Sequence, residues 1–194
     1  TFDSQDGSAC SYTHINTPGI VMGGYGYSLK LDYNILYGNS FAGYWTAFNR
    51  EDISMYKSLE FRVRGAVGGE KFTFYLKDWA GNESKLDIAD YLPDGVKTTW
   101  QKVTVPLNDF NQIMTWNDMD SFVITFEGMI GSGSGTIYVD GIKFISDNLP
   151  VDNFDAGKPL NEPGSPYWFA NNGADILVTY DTVSPFGGVG KSIK

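Results

Sequence analysis

Leu59-Glu60-Phe61-Arg62-Val63-Arg64 and Phe72-Thr73-Phe74-Tyr75-Leu76-Lys77 are the stretches that decide the fold. Both alternate apolar and polar side chains, so Leu59, Phe61 and Val63 share one side of an extended chain while Glu60, Arg62 and Arg64 share the other. Period two with a single apolar face is the signature of an antiparallel sheet that buries one side and wets the other. The same alternation recurs at 28–33, 100–105, 121–127 and 136–144. Between these runs stand turn signals: Gly38-Asn39, Gly65 to Gly69, Gly81-Asn82, Pro93-Asp94-Gly95 and Gly131 to Gly135. No helical pattern of useful length is present; Pro106 to Phe110 predicts a short helical turn after its strand. Many short strands at this spacing predict an all-β fold, an antiparallel β-sandwich of the jelly-roll kind, over residues 1–146.

The chain also opens the same way twice. Phe2-Asp3 is followed by Gly23-Gly24-Tyr25-Gly26-Tyr27-Ser28-Leu29-Lys30, and Phe154-Asp155 by Gly187-Gly188-Val189-Gly190-Lys191-Ser192-Ile193-Lys194. Self-similarity of this kind marks tandem modules. Residues 147–194 therefore read as a linker and the incomplete N-terminal part of a second, similar module. That stretch is too short to fold alone. It is expected to pair with a sheet edge of the first module or to exchange between chains, with Tyr167-Trp168-Phe169 as its anchor.

Composition narrows the function. The net charge of −9 argues against nucleic acid, whose phosphates demand a basic face, and disfavours anionic surfaces. No run reaches the roughly 18–20 apolar residues of a membrane-spanning helix. Cys10 is the only cysteine, so no internal disulfide can form, and it reads as a small buried thiol. The sole histidine, His14, has no nucleophile or metal cluster near it in sequence. The paired acids Asp118/Asp120 and Asp87/Asp90 read as turn residues rather than as the two carboxylates of a glycosidase. The chain is not expected to be an enzyme.

An ordered series of residues carries a resemblance. Gly26-Tyr27-Ser28-Leu29-Lys30-Leu31-Asp32-Tyr33 leads to Ala42-Gly43-Tyr44-Trp45, then to Trp100-Gln101-Lys102-Val103-Thr104-Val105-Pro106-Leu107 and the closing Tyr138-Val139-Asp140-Gly141-Ile142-Lys143-Phe144. Together they resemble jelly-roll carbohydrate-binding modules of the galactose-binding-like superfamily, near the β-glucan-binding modules of bacterial glycanases. The resemblance implies a non-catalytic module that binds polysaccharide for a larger secreted or cell-surface protein. It also implies a structural calcium where the first strand meets the last, carried onto Asp3 and Asp140 here, with Asp155 as the next module's counterpart of Asp3. Fold alone does not fix function, and a structural or adhesive repeat that contacts neighbouring modules or another protein remains the alternative.

Sugar binding requires flat aromatic faces against pyranose C–H groups and planar polar groups against hydroxyls. Alternation places Glu60, Arg62 and Arg64 on the wet side of one strand, Thr73, Tyr75 and Lys77 on the next, and Ser121, Val123, Thr125 and Glu127 on a third. Arg62, Tyr75 and Glu127 fall mid-run and are expected to meet across strands. Trp79, just past its strand, and Tyr25, in a glycine-rich loop, are expected at the rim. Trp45, Trp100 and Trp116 read as core or strand-end packing.

Overall fold

The structure, a computed structural model, describes residues 1–146 and, beyond them, residues 180–181 and 192–193. The chain divides into two compact units, 1–146 and 147–194. In the second, a two-residue ladder pairs Tyr180–Asp181 with Ser192–Ile193. The expected second module opening at Phe154-Asp155, the anchoring role of Tyr167 to Phe169 and the packing of the tail otherwise lie outside the described residues.

The first unit is a sandwich of ten strands: β1 (Phe2–Asp3), β2 (Ala9–Ile15), β3 (Ser28–Ile35), β4 (Phe41–Glu51), β5 (Ser58–Gly65), β6 (Thr73–Asp78), β7 (Glu83–Asp87), β8 (Gln101–Pro106), β9 (Met119–Glu127) and β10 (Gly133–Ile145). They form two five-stranded sheets, one ordered β1-β4-β9-β6-β7 and the other β2-β3-β10-β5-β8. Every pairing is antiparallel. The six runs read from alternation are strands, and the turn after β8 is a 3₁₀ turn at Leu107–Asp109. Four further strands, β1, β2, β4 and β7, lie where the alternation reading drew none.

β5 and β6 do not lie side by side. β5 belongs to one sheet and β6 to the other. The turn between them is fixed locally: the Glu70 carboxylate accepts hydrogen bonds from the Val67 and Gly68 amides at 2.8 and 3.0 Å. Gly68 and Gly69 supply left-handed φ values of 97° and 81°. Gly65 lets the carboxylate come against the backbone, in space that a Cβ would fill.

The physical reason for the crossing is that each strand has an apolar face to bury, and facing one another across the sandwich buries both. Leu59, Phe61, Val63, Phe72, Phe74 and Leu76 are all fully buried. The Phe61 ring meets Phe74 edge-on at 5.3 Å and Phe122 at 5.9 Å, and Tyr33 stacks on Phe126 at 3.9 Å. Truncating Phe61, which bridges both layers, should therefore open a cavity under both sheets. Phe61→Ala is expected to cost about 3–5 kcal/mol, read as a lowered denaturant midpoint with an unchanged slope. A loss below about 1 kcal/mol would mean that the sheets close without this contact.

Candidate functional site

The outward faces of the two sheets differ in chemistry. On the sheet containing β5, several outer side chains are charged and paired with one another. Lys30 meets Asp32 at 2.7 Å, and Glu60 takes both Lys102 and Lys143 at 3.2 Å. Arg64 donates to the Gly19 carbonyl at 3.2 Å and lies 5.5 Å over the Tyr138 ring. This is the expected make-up of a solvated face.

The outer face of the other sheet carries rings. The register aligns Trp45, Val123, Tyr75 and Lys85 in one row across β4, β9, β6 and β7. The next row toward β1 holds Gly43, Thr125, Thr73 and Asp87. Phe2, on the two-residue β1, lies over Gly43, where a Cβ would strike its ring. Gly43 is thus what lets an aromatic ring from the edge strand lie down on the sheet. Asp6 secures this edge: it accepts the Ser4 hydroxyl, the Ser8 amide and the Ser40 hydroxyl. Those bonds hold its carboxyl well below the usual carboxylate range, the Ser40 hydroxyl contributing most.

The result is an open groove of about 370 Å³ floored by Trp45, Tyr75 and Val123 and flanked by Lys77, Glu83 and Asp120. A hollow of about 190 Å³ continues it between Phe2, Phe41, Lys85 and Glu127. Trp45 is 51% exposed, an unusual state for an indole in the middle of an eleven-residue strand.

Polar groups ring these aromatics in fixed positions. The Thr73 hydroxyl and Lys85 Nζ both donate to Glu127 Oε1, at 2.7 and 2.8 Å. Lys85 also lies 5.7 Å from the Tyr75 ring centre, and Lys77 pairs with Glu83 at 3.2 Å. Partial burial works against the Glu127 carboxylate, but the Lys85 and Thr73 bonds outweigh it and lower its pKa. Burial, together with the nearby Glu83 charge, raises the Tyr75 phenol. At neutral pH the groove thus presents a phenol O–H, ammonium donors and carboxylate acceptors, the set that hydroxyl-rich ligands can use.

Of the residues singled out from sequence, Tyr75, Lys77 and Glu127 share this groove. Trp79 stands just beyond its end, 56% exposed, with the Arg50 guanidinium 4.9 Å from its ring centre. Arg62 does not meet Tyr75 and Glu127 as expected. It lies on the opposite outer face, in register with Lys102 and Asp140, because β5 crosses to the other sheet. Tyr25 is 84% exposed in the loop between β2 and β3, strands of that same opposite sheet.

Asp3 and Asp140, onto which the resemblance carried a calcium, are not brought together either. Asp3 pairs opposite Ala42 near the start of β4, whereas Asp140 bonds to Ser28 at the first residue of β3. The full eight residues of β3 separate the two ends. Asp140 already accepts the Ser28 hydroxyl and the Gly141 amide, each at 2.6 Å. Among the described residues no group of three or more His, Cys, Asp or Glu is arranged for a metal ion.

Trp45 is a correction in the other direction, since it is part of the groove and not packing. Alternation through Phe41-Ala42-Gly43-Tyr44-Trp45 would have found it: Ala42 is buried and Tyr44 packs on the core, while Phe41 and Trp45 face out. Trp100 donates its indole N–H to the Ile20 carbonyl at 2.9 Å, and Trp116 packs on the core, as read from sequence.

Against known proteins, the profile of the family described as carbohydrate binding domain 30 matches residues 8–146. The chain belongs to this family, and its first unit is a carbohydrate-binding module. Among solved structures it is similar to the family 11 carbohydrate-binding module of Clostridium thermocellum in complex with a β-1,3-1,4-mixed-linked tetrasaccharide, with 16% identity and a TM-score of 0.58 over 73% of this chain and 85% of that one. It is also similar to the family 30 module of a cellulosomal cellulase of the same organism, with 22% identity and a TM-score of 0.57 over 70% and 83%. An exo-β-agarase aligns over 72% of this chain and 23% of its own, with 14% identity and a TM-score of 0.55. No curated protein matches the chain.

The directions of the two shifts set a pH dependence. Glu127, with its pKa lowered, stays ionised above the ordinary carboxylate value, and its paired contribution to stability fades only as pH falls through the lowered folded value. Tyr75, raised above 10, stays a phenol. Affinity for a neutral glycan should accordingly be flat between about pH 6 and 8. A midpoint within that range, seen by calorimetric titration at several pH values, would mean that binding does not rest on this groove.

Proposed function

We propose that the module binds a neutral polysaccharide chain along the groove of the β1-β4-β9-β6-β7 sheet and has no catalytic role. The observation that carries this reading is the gathering of rings: Phe2, Phe41, Trp45 and Tyr75 lie together on one outer face, while the other carries ion pairs and the single Tyr138 ring beneath Arg64. Trp45 and Tyr75 would stack on the C–H faces of successive sugar units. Lys77, Glu83, Asp120 and Glu127 would then address the equatorial hydroxyls along either side. Lys77 and Lys85 are each already paired with a glutamate, which favours an uncharged chain over a uronate polymer. The shape is an open groove and not a deep cleft, which suits the side of a chain. The bound tetrasaccharide of the family 11 structure makes mixed-linkage β-glucan the first ligand to test.

Such a module would act by keeping a larger secreted protein on its glycan. The second copy of the opening motif, at Phe154-Asp155 and 187–194, supports a tandem arrangement in which two modest sites on one polymer add through avidity.

Isothermal titration with mixed-linkage β-glucan oligosaccharides tests the site. Trp45→Ala and Tyr75→Ala should each weaken binding roughly 10–30-fold, as removal of a central aromatic anchor does. Arg62→Ala, on the opposite face, should bind as the unaltered protein does. Loss of binding with Arg62→Ala and retention with Trp45→Ala would move the site to the other sheet.

A further inference from the structure

β4 leaves its ladder with β9 between Ala47 and Glu51. Within this interruption Asn49 and Arg50 take φ values of 53° and 68°, and left-handed backbone is unfavourable for a long side chain such as arginine. The kink delivers the Arg50 guanidinium to two partners. Its Nε and Nη2 donate to the two carboxylate oxygens of Asp118 at 2.9 and 2.7 Å, and the same group lies 4.9 Å over the Trp79 ring. The Trp79 amide in turn donates to the Asp118 carbonyl at 2.9 Å. Beneath, the fully buried Asp78 holds the turn by accepting the Asn82 amide and side chain at 2.8 and 2.7 Å. Arg50, Asp118 and Trp79 thus form a closed set. Arg50 is 55% exposed, and an ion pair so exposed adds little to stability. A left-handed kink held for such a pair points to a local task, and the ring it backs is a large aromatic that is 56% exposed. Lys77 and Asp120 line the groove, and two residues from each in sequence stand Trp79, just past the end of β6, and Asp118, just before the start of β9.

We propose that Arg50 is a positioning residue: it covers one face of the Trp79 indole and fixes the ring so that its other face serves as the terminal stacking surface for a glycan lying in the groove. This role presupposes the glycan reading of that groove. The bidentate clamp on Asp118 removes the freedom that an exposed indole on a turn would otherwise lose on binding. The contact specifically requires a planar guanidinium, because a lysine ammonium cannot both fork onto Asp118 and lie flat on the ring.

Calorimetric titration with short and long mixed-linkage β-glucan oligosaccharides separates the outcomes, with thermal melting and the Trp79 indole N–H resonance as companions. Arg50→Met and Asp118→Asn should weaken binding of the long oligosaccharide about three- to tenfold, shift or broaden that resonance, and leave short-oligosaccharide affinity unaltered. Arg50→Lys should recover only part of the loss. Trp79→Ala should match or exceed the effect of Arg50→Met. If Trp79→Ala weakens binding and Arg50→Met does not, the ring needs no backing and the proposal fails while the groove stands. If Trp79→Ala binds both oligosaccharides normally while Trp45→Ala does not, the groove ends short of Trp79 and Arg50 has no such role. If the unaltered protein binds no glycan, the underlying reading fails first.

Discussion

The contact between Phe61 on β5 and Phe74 on β6, across the middle of the sandwich, is the constraint on which the remaining architecture depends. Both residues lie at the centre of strongly alternating strands, and both apolar faces must leave water. Placing the strands in opposite layers satisfies both at once. It also decides, for every alternating residue, which of two outer surfaces it occupies. Phe122 completes the cluster from β9 at 5.9 Å from Phe61, so the strand that carries Val123 and Thr125 into the groove is registered by the same core. An aromatic face and a charged face can coexist on one small module because the layer between them is rigidly packed.

The groove shows how weak local preferences are made specific by neighbours. Tyr75 alone is an ordinary outward tyrosine. Its setting comes from Trp45 two strands away, from Lys85 on the adjoining strand, and from Phe2, which reaches the sheet only because Gly43 leaves room. The charged groups around it are already engaged, Lys85 with Glu127 and Lys77 with Glu83. A ligand therefore meets oriented donors and acceptors, and the binding entropy of long side chains is reduced in advance. The Arg50–Asp118–Trp79 set repeats this logic at the groove's end. In each case an aromatic plane is held by a charged group that is itself held by a second one.

Alternation fixed much of this in advance. From residues 59–64, 72–77 and 121–127 alone, the strands, their buried faces and the outward placement of Tyr75, Lys77 and Glu127 could be read, because side-chain direction in a strand is a local property. The sandwich class followed from turn spacing. The resemblance in the ordered motifs pointed to carbohydrate binding, which the family match bears out. Trp45 was legible too, in the alternation of Phe41 to Trp45, but an indole within an apolar run reads more naturally as core.

What only the tertiary structure decided is which wetted residues keep company. Period two tells a side chain's face relative to its own strand and says nothing of the sheet to which that strand belongs. Arg62 and Tyr75 are equivalent in sequence pattern, yet the Glu70-held turn sends them to opposite surfaces. The resemblance carries a shared ion onto Asp3 and Asp140, yet the length of β3 lies between them. Sheet membership depends on non-local burial of Phe61 against Phe74, a contact between residues that sequence alone leaves free to pair in other ways.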